Sequence, residues 1–165
     1  MTPHTFWTKV PRYGTRRPLP FIRRTTLRDR RTLPTTGTLH HVEIWVPNIN
    51  RAIADWQWFL EELGYTLHQS WNNGRSWRLN HTYLVFEQSP ALTTDHHDRR
   101  TPGLNHLAFH ADQQTVDRLT AKAQENGWTL LFPDQHPHAG GPQQYGAYLE
   151  STDGFEIELV ASDHN

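Results

Sequence analysis

Apolar and polar residues alternate along residues 39–46, placing His41, Glu43 and Trp45 on one face of a strand and Val42, Ile44 and Val46 on the other. Pro47 and Asn48 interrupt the alternation and the period then changes. Ile53, Trp56, Phe59, Leu60 and Leu63 recur as one apolar stripe, which predicts a helix over residues 50–63, capped by Asn48 or Asn50 and ended by Gly64. Three strands follow, over residues 65–71, 75–79 and 81–87, with Asn72-Asn73-Gly74 as the hairpin turn between the first two.

The pattern then repeats. Leu104-Asn105-His106-Leu107-Ala108-Phe109-His110 has the layout of Leu39-His40-His41-Val42-Glu43-Ile44-Trp45, so His106 and His41 are equivalent, 65 positions apart. The phrases Gly64-Tyr65-Thr66-Leu67 and Gly127-Trp128-Thr129-Leu130 repeat at an offset of 63, after a second helical stripe carrying Val116, Leu119 and Ala123. A near-constant offset through strand, helix and strand marks an internal structural repeat. The fold expected is α+β, with two pseudo-symmetric βαβββ modules, residues 38–88 and 103–162, joined by a polar linker, 89–102. Within that linker His96 and His97 are adjacent and point apart, so they are expected in a solvated loop.

Composition narrows the function classes. A chain of 165 residues with seven Trp, seven Phe and five Tyr has the bulk for a core. No apolar run is long enough to span a bilayer and no leader pattern opens the chain, so a cytoplasmic protein without membrane partners is expected. Cysteine is absent, so any metal must be held by nitrogen and oxygen. Residues 1–37 hold nine of the 16 Lys and Arg and one acid, Asp29, leaving the remainder with seven basic and 16 acidic residues. Five prolines break this basic segment, which reads as an extended arm against the acidic body or a second subunit rather than a nucleic-acid binder.

Candidate chemistry lies on the repeated strands. His41 and His106 open the two modules in equivalent places, and the last strand sets Glu156 and Glu158 on one face, a repulsive arrangement unless solvent or a cation lies near. Two imidazoles and the Glu158 carboxylate form a facial triad suited to Fe(II), Mn(II) or Zn(II), with positions open for substrate.

From about residue 38 to 162 the chain resembles the vicinal oxygen chelate superfamily, the glyoxalase, bleomycin-resistance and extradiol-dioxygenase group. The resemblance is carried by Leu39-His40-His41-Val42-Glu43-Ile44, by Gly103-Leu104-Asn105-His106-Leu107-Ala108-Phe109 and by Asp153-Gly154-Phe155-Glu156-Ile157-Glu158-Leu159-Val160, with the duplicated layout. It implies curved sheets forming a cleft around one divalent metal (Fe, Mn, Zn or Ni), a small-molecule substrate, a homodimer, and His41, His106 and Glu158 as ligands. Glyoxalase-type members add a fourth ligand on the last strand of the first module. Matching Tyr83-Leu84-Val85-Phe86 to Ile157-Glu158-Leu159-Val160 puts Leu84 there, and leucine cannot ligate.

The resemblance therefore implies a metalloenzyme that chelates two adjacent substrate oxygens, of isomerase, lyase or transferase type. One alternative is an Fe(II) extradiol, catechol-cleaving dioxygenase, whose pattern is partly met by His138 and Tyr148, with Thr152 in place of the usual proline. The other is a metal-free drug-sequestering resistance protein. His110, on the His106 face, and Glu43, beyond His41, are candidate proton-transfer groups, Tyr148 is a further catalytic candidate, and Trp45 is a candidate substrate wall.

Overall fold

The computed structural model describes residues 36–162, so the basic arm expected at residues 1–37 lies almost wholly outside the described residues. The order is β1 (His41–Trp45), α1 (Ile49–Glu62), β2 (Thr66–Trp71), β3 (Gly74–Leu79), β4 (Thr82–Glu87), β5 (His106–Ala111), α2 (Gln113–Glu125), β6 (Thr129–Leu131), β7 (Gly146–Glu150) and β8 (Glu156–Ala161). Each helix starts where its cap accepts a backbone hydrogen bond. The Asn48 side chain takes the Arg51 N–H at 3.0 Å and the Asp112 side chain takes that of Thr115 at 2.7 Å. Each ends at a glycine, Gly64 or Gly127, whose positive φ reverses the chain.

The strands form two four-stranded sheets with the same plan, β1-β4-β3-β2 and β5-β8-β7-β6. In each, the first strand of the module pairs parallel with the last, and the other pairings are antiparallel. The registers show which positions are equivalent. His41 lies opposite Tyr83 as His106 lies opposite Glu156, so the partner of Glu158, which faces Ala108, is Val85, which faces Glu43. The match that put Leu84 there is one residue out, and a slip of one residue reverses the face. Leu84 is buried in the core, 4% exposed. The consequence survives, since valine cannot ligate either.

One face of each sheet and the apolar stripes of both helices enclose a single core. The helix stripe runs Ile49, Ala52, Trp56, Phe59 and Leu60, with Ile53 and Leu63 at its rim. Rings from both modules meet in it. Phe59 stacks on Trp128 with centroids 5.2 Å apart and meets Phe109 edge-on at 5.8 Å, while Trp56 contacts Trp128 at 5.3 Å. Burying each such ring contributes roughly 1.5–3 kcal/mol. The modules are therefore held together by shared apolar burial. The linker also packs: His97 is half-buried with its ring stacked on Phe155 at 4.4 Å, and its backbone N–H donates to the Asp153 carbonyl. The solvated reading of His97 is thus corrected, because an imidazole face covers apolar surface as well as a small aromatic does.

Candidate metal centre

Alternation sends Leu107, Phe109, Ile157 and Leu159 into the core and leaves His106, His110, Glu156 and Glu158 on the opposite face of the second sheet. That face is not simply solvent. Glu156 and Glu158 are 4% and 6% exposed, covered by Arg99 from the linker, by Tyr148 of β7 and by the loop that precedes β7.

Arg99 answers one of the two charges. Its Nη1 lies 2.7 Å from Glu156 and its Nε 3.5 Å from Glu150. Burial still raises the Glu156 pKa, against the opposing pull of Arg99. Glu158 is engaged differently. The Gln144 amide donates to its Oε1 at 2.5 Å, the Tyr148 phenol hydrogen-bonds to it, and His106 Nε2 lies 3.4 Å from its Oε2.

The hydrogen-bond chain behind His106 sets its tautomer. Asn105 Nδ2 donates to the Arg99 carbonyl at 3.0 Å, so its Oδ1 faces His106 Nδ1 at 2.7 Å and must accept. In the neutral ring the proton is then on Nδ1 and the Nε2 lone pair faces a carboxylate oxygen. Two electron-rich atoms so placed call for a cation or a proton between them. An imidazole nitrogen and a carboxylate oxygen are suitable donors for a divalent ion, so this half of the expected ligand set fits a metal.

His41 lies on the first sheet, on the equivalent strand. Its Nδ1 is 2.9 Å from that of His40, and its ring stacks on Tyr83 at 5.0 Å. On the same face Trp45 Nε1 donates to Glu43 at 2.8 Å, and the Trp45 ring is 44% exposed. Among the described residues, no three His, Asp or Glu side chains are gathered so as to hold a metal ion. The chain thus brings His106, Glu158 and Tyr148 together on one sheet and His41, Glu43 and Trp45 on the other.

Burial and the nearby carboxylates push the Tyr148 pKa up to about 12, so the phenol keeps its proton at neutral pH. His110 Nδ1 is 2.9 Å from the Ser162 hydroxyl. His138 Nδ1 is engaged by the Gln144 carbonyl at 3.0 Å, and Thr152 donates to Asp55 at 2.5 Å. Sequence reasoning missed Arg99, Asn105 and Gln144. Asn105 carried a signal, its place beside a candidate ligand, whereas Arg99 and Gln144 lie in irregular segments. A cleft of about 320 Å³ opens beside the pair, lined by Arg99, His106, Phe132, Gln135, Tyr148 and Glu156 among others.

Two four-stranded sheets with the same strand order, one per module, define a class of fold, and comparison with known proteins agrees. Residues 40–148 match the Glyoxalase/Bleomycin resistance protein/Dioxygenase superfamily, and the chain belongs to it. It is 42% identical over 126 residues to the uncharacterized protein YqjT of Bacillus subtilis, covering 74% of this chain and 98% of that one. It is similar to a candidate glyoxalase of known structure from Bacillus halodurans, with a TM-score of 0.74 and 45% identity over 78% of this chain and 98% of that one. The fold is shared with the fosfomycin resistance protein FosX of Listeria monocytogenes, solved with Mn(II) and a dihydroxypropylphosphonic acid. That likeness has a TM-score of 0.53 and 17% identity over 78% of this chain and 92% of that one. Among the described residues no helix is long and apolar enough to cross a membrane.

Proposed function

We propose that the chain is a metal-dependent enzyme acting on a small molecule with two adjacent oxygens, and that His41, His106 and Glu158 hold one divalent ion. The observation that carries this reading is His106 Nε2 facing a buried carboxylate oxygen at 3.4 Å, with the opposite ring nitrogen engaged by Asn105. Nothing but a cation or a proton relieves that juxtaposition. Among the described residues of one chain no third such side chain joins the His106–Glu158 pair, so we assign His41 of a second copy in a homodimer as the third ligand. The Mn(II)-bound FosX fold supports a divalent ion in this architecture.

When bound, the ion supplies Lewis acidity toward a developing oxyanion. The chain's own groups do the rest. Tyr148, protonated at neutral pH, is a hydrogen-bond donor and not a base. His110, with Ser162 on Nδ1, has Nε2 left for proton transfer, and Glu43 is a second proton-transfer group on the His41 side. Trp45 supplies an aromatic wall.

Elemental analysis of protein purified without a histidine tag tests the reading. Wild type is expected to carry close to one equivalent of a divalent metal per chain, and His106→Ala and Glu158→Gln almost none. A wild-type protein that neither carries metal nor takes it up would sink the metalloenzyme reading and favour metal-free sequestration.

A further inference from the structure

Loop 132–145 lines the cleft with Phe132 and Gln135 and hydrogen-bonds to Glu158 through Gln144. We infer that Gln144 is a positioning residue that orients the Glu158 carboxylate for ligation, and that residue 140 is glycine to make room for it. The inference rests on Glu158 being a ligand, as proposed above.

A glutamate side chain has freedom at each of its torsions, and ordering it costs entropy that a preset partner supplies in advance. Gln144 Nε2 occupies Oε1 at 2.5 Å, which leaves Oε2 as the oxygen beside His106 Nε2. Held by the Gln144 amide and the Tyr148 phenol, the carboxylate keeps Oε2 turned toward His106. Outer partners of this kind orient first ligands and tune their basicity.

The loop is built to hold that amide still. The Gln144 N–H donates to the Gly141 carbonyl at 3.1 Å, its carbonyl accepts from His138 Nδ1 at 3.0 Å, and the Gly141 N–H donates to the His138 carbonyl at 2.9 Å. The amide lies against Gly140 so closely that a Cβ there would sit 2.3 Å from Gln144 Oε1 and 2.6 Å from Cδ. Gly140 is outside the left-handed region, so alanine is permitted by the backbone and would act by moving the amide alone. Gly140→Ala thus removes the contact without touching a polar group.

The test is titration of Mn(II) into the full-length metal-free protein, with free Mn(II) followed by electron paramagnetic resonance. Wild type, Gln144→Leu, Gly140→Ala and the double variant are compared. Each single variant is expected to raise Kd about 10- to 100-fold while circular dichroism and Tm stay near wild type. The double variant should be no worse than Gln144→Leu, because residue 140 acts only through the amide, a non-additivity that a general loss of stability would not produce. Wild-type affinity in Gln144→Leu overturns the inference and leaves the ligand assignment standing. Additive losses in the double variant overturn the part given to Gly140. Failure of the wild type to bind Mn(II) overturns the ligand assignment and this inference together.

Discussion

Asn105 does for His106 what a single amide can: with Nδ2 committed to the Arg99 carbonyl, only its oxygen is available to the ring, and the ring has to donate from Nδ1. Replacing it by leucine keeps the branched shape and removes that constraint. Asn105→Leu is expected to weaken divalent-metal binding about 10-fold or more, measured by the same Mn(II) titration. Unchanged affinity would mean that packing alone orients the ring. Asn105 itself was visible in the sequence only as a residue on the opposite strand face from His106. Alternation describes where a side chain starts from the backbone, and an amide beside a strand's first residue can still bend to its neighbour. Leu84 shows the opposite case, where a one-residue error in matching put a core side chain at a site position. Alternation predicts a strand over residues 144–150, but β7 starts at Gly146 and leaves Gln144 in the loop, where no periodicity sets a side chain's direction.

Elements were more legible than contacts. The change from a period of two to one of 3.6 placed both helices within about a turn of their observed ends, because solvent on one side and core on the other impose that spacing. Asn48 was legible as one of two candidate caps, whereas Asp112 was not singled out, though both satisfy N–H groups of their own first turns. Asn48→Ala and Asp112→Ala are each expected to cost about 1 kcal/mol, read from urea unfolding. A loss within error for either would mean that burial of the helix stripe alone decides where it begins. The 89–102 linker was read as solvated from its polarity. Arg99 and His97 instead pack on the second module, and composition has no way of telling that a guanidinium will meet Glu156 or that an imidazole will lie on Phe155.

Across the molecule, α1 carries two carboxylates to the second module, and they respond to pH in opposite directions. Glu62 accepts from Lys122 and Arg118, both at 2.5 Å, and these bonds hold its pKa below the ordinary value. A carboxylate depressed by folding contributes stability at neutral pH that is lost as pH falls through its folded pKa. Burial raises the pKa of Asp55, which accepts from Thr152, so its ionised form costs stability at neutral pH and protonation relieves it. Glu62→Gln should therefore be less stable than wild type at pH 7 and approach it in acid, whereas Asp55→Asn should match or exceed wild type at pH 7. Chemical denaturation across pH 3 to 7, a range that spans ordinary carboxylate values of about 4, checks both signs. The proposed dimer makes a separate prediction. Neither His41→Ala nor His106→Ala should bind metal alone, but a re-equilibrated mixture should, because the heterodimer regains one complete site. No recovery would mean that the ligands do not come from two chains.

The amino-acid sequence by itself determined the repeated strand–helix–strand plan, the faces of its strands, and the residue types able to hold a metal without cysteine. Those properties follow from local periodicity and from chemistry carried by single side chains. Only the tertiary structure decided that Val85, and not Leu84, is the counterpart of Glu158, that His106 and Glu158 converge while His41 lies on the other sheet, and that Asn105 and Gln144 hydrogen-bond to them. Strand register and loop path depend on contacts between residues distant in the chain, and a pattern with a period of two or 3.6 does not encode which of those contacts forms.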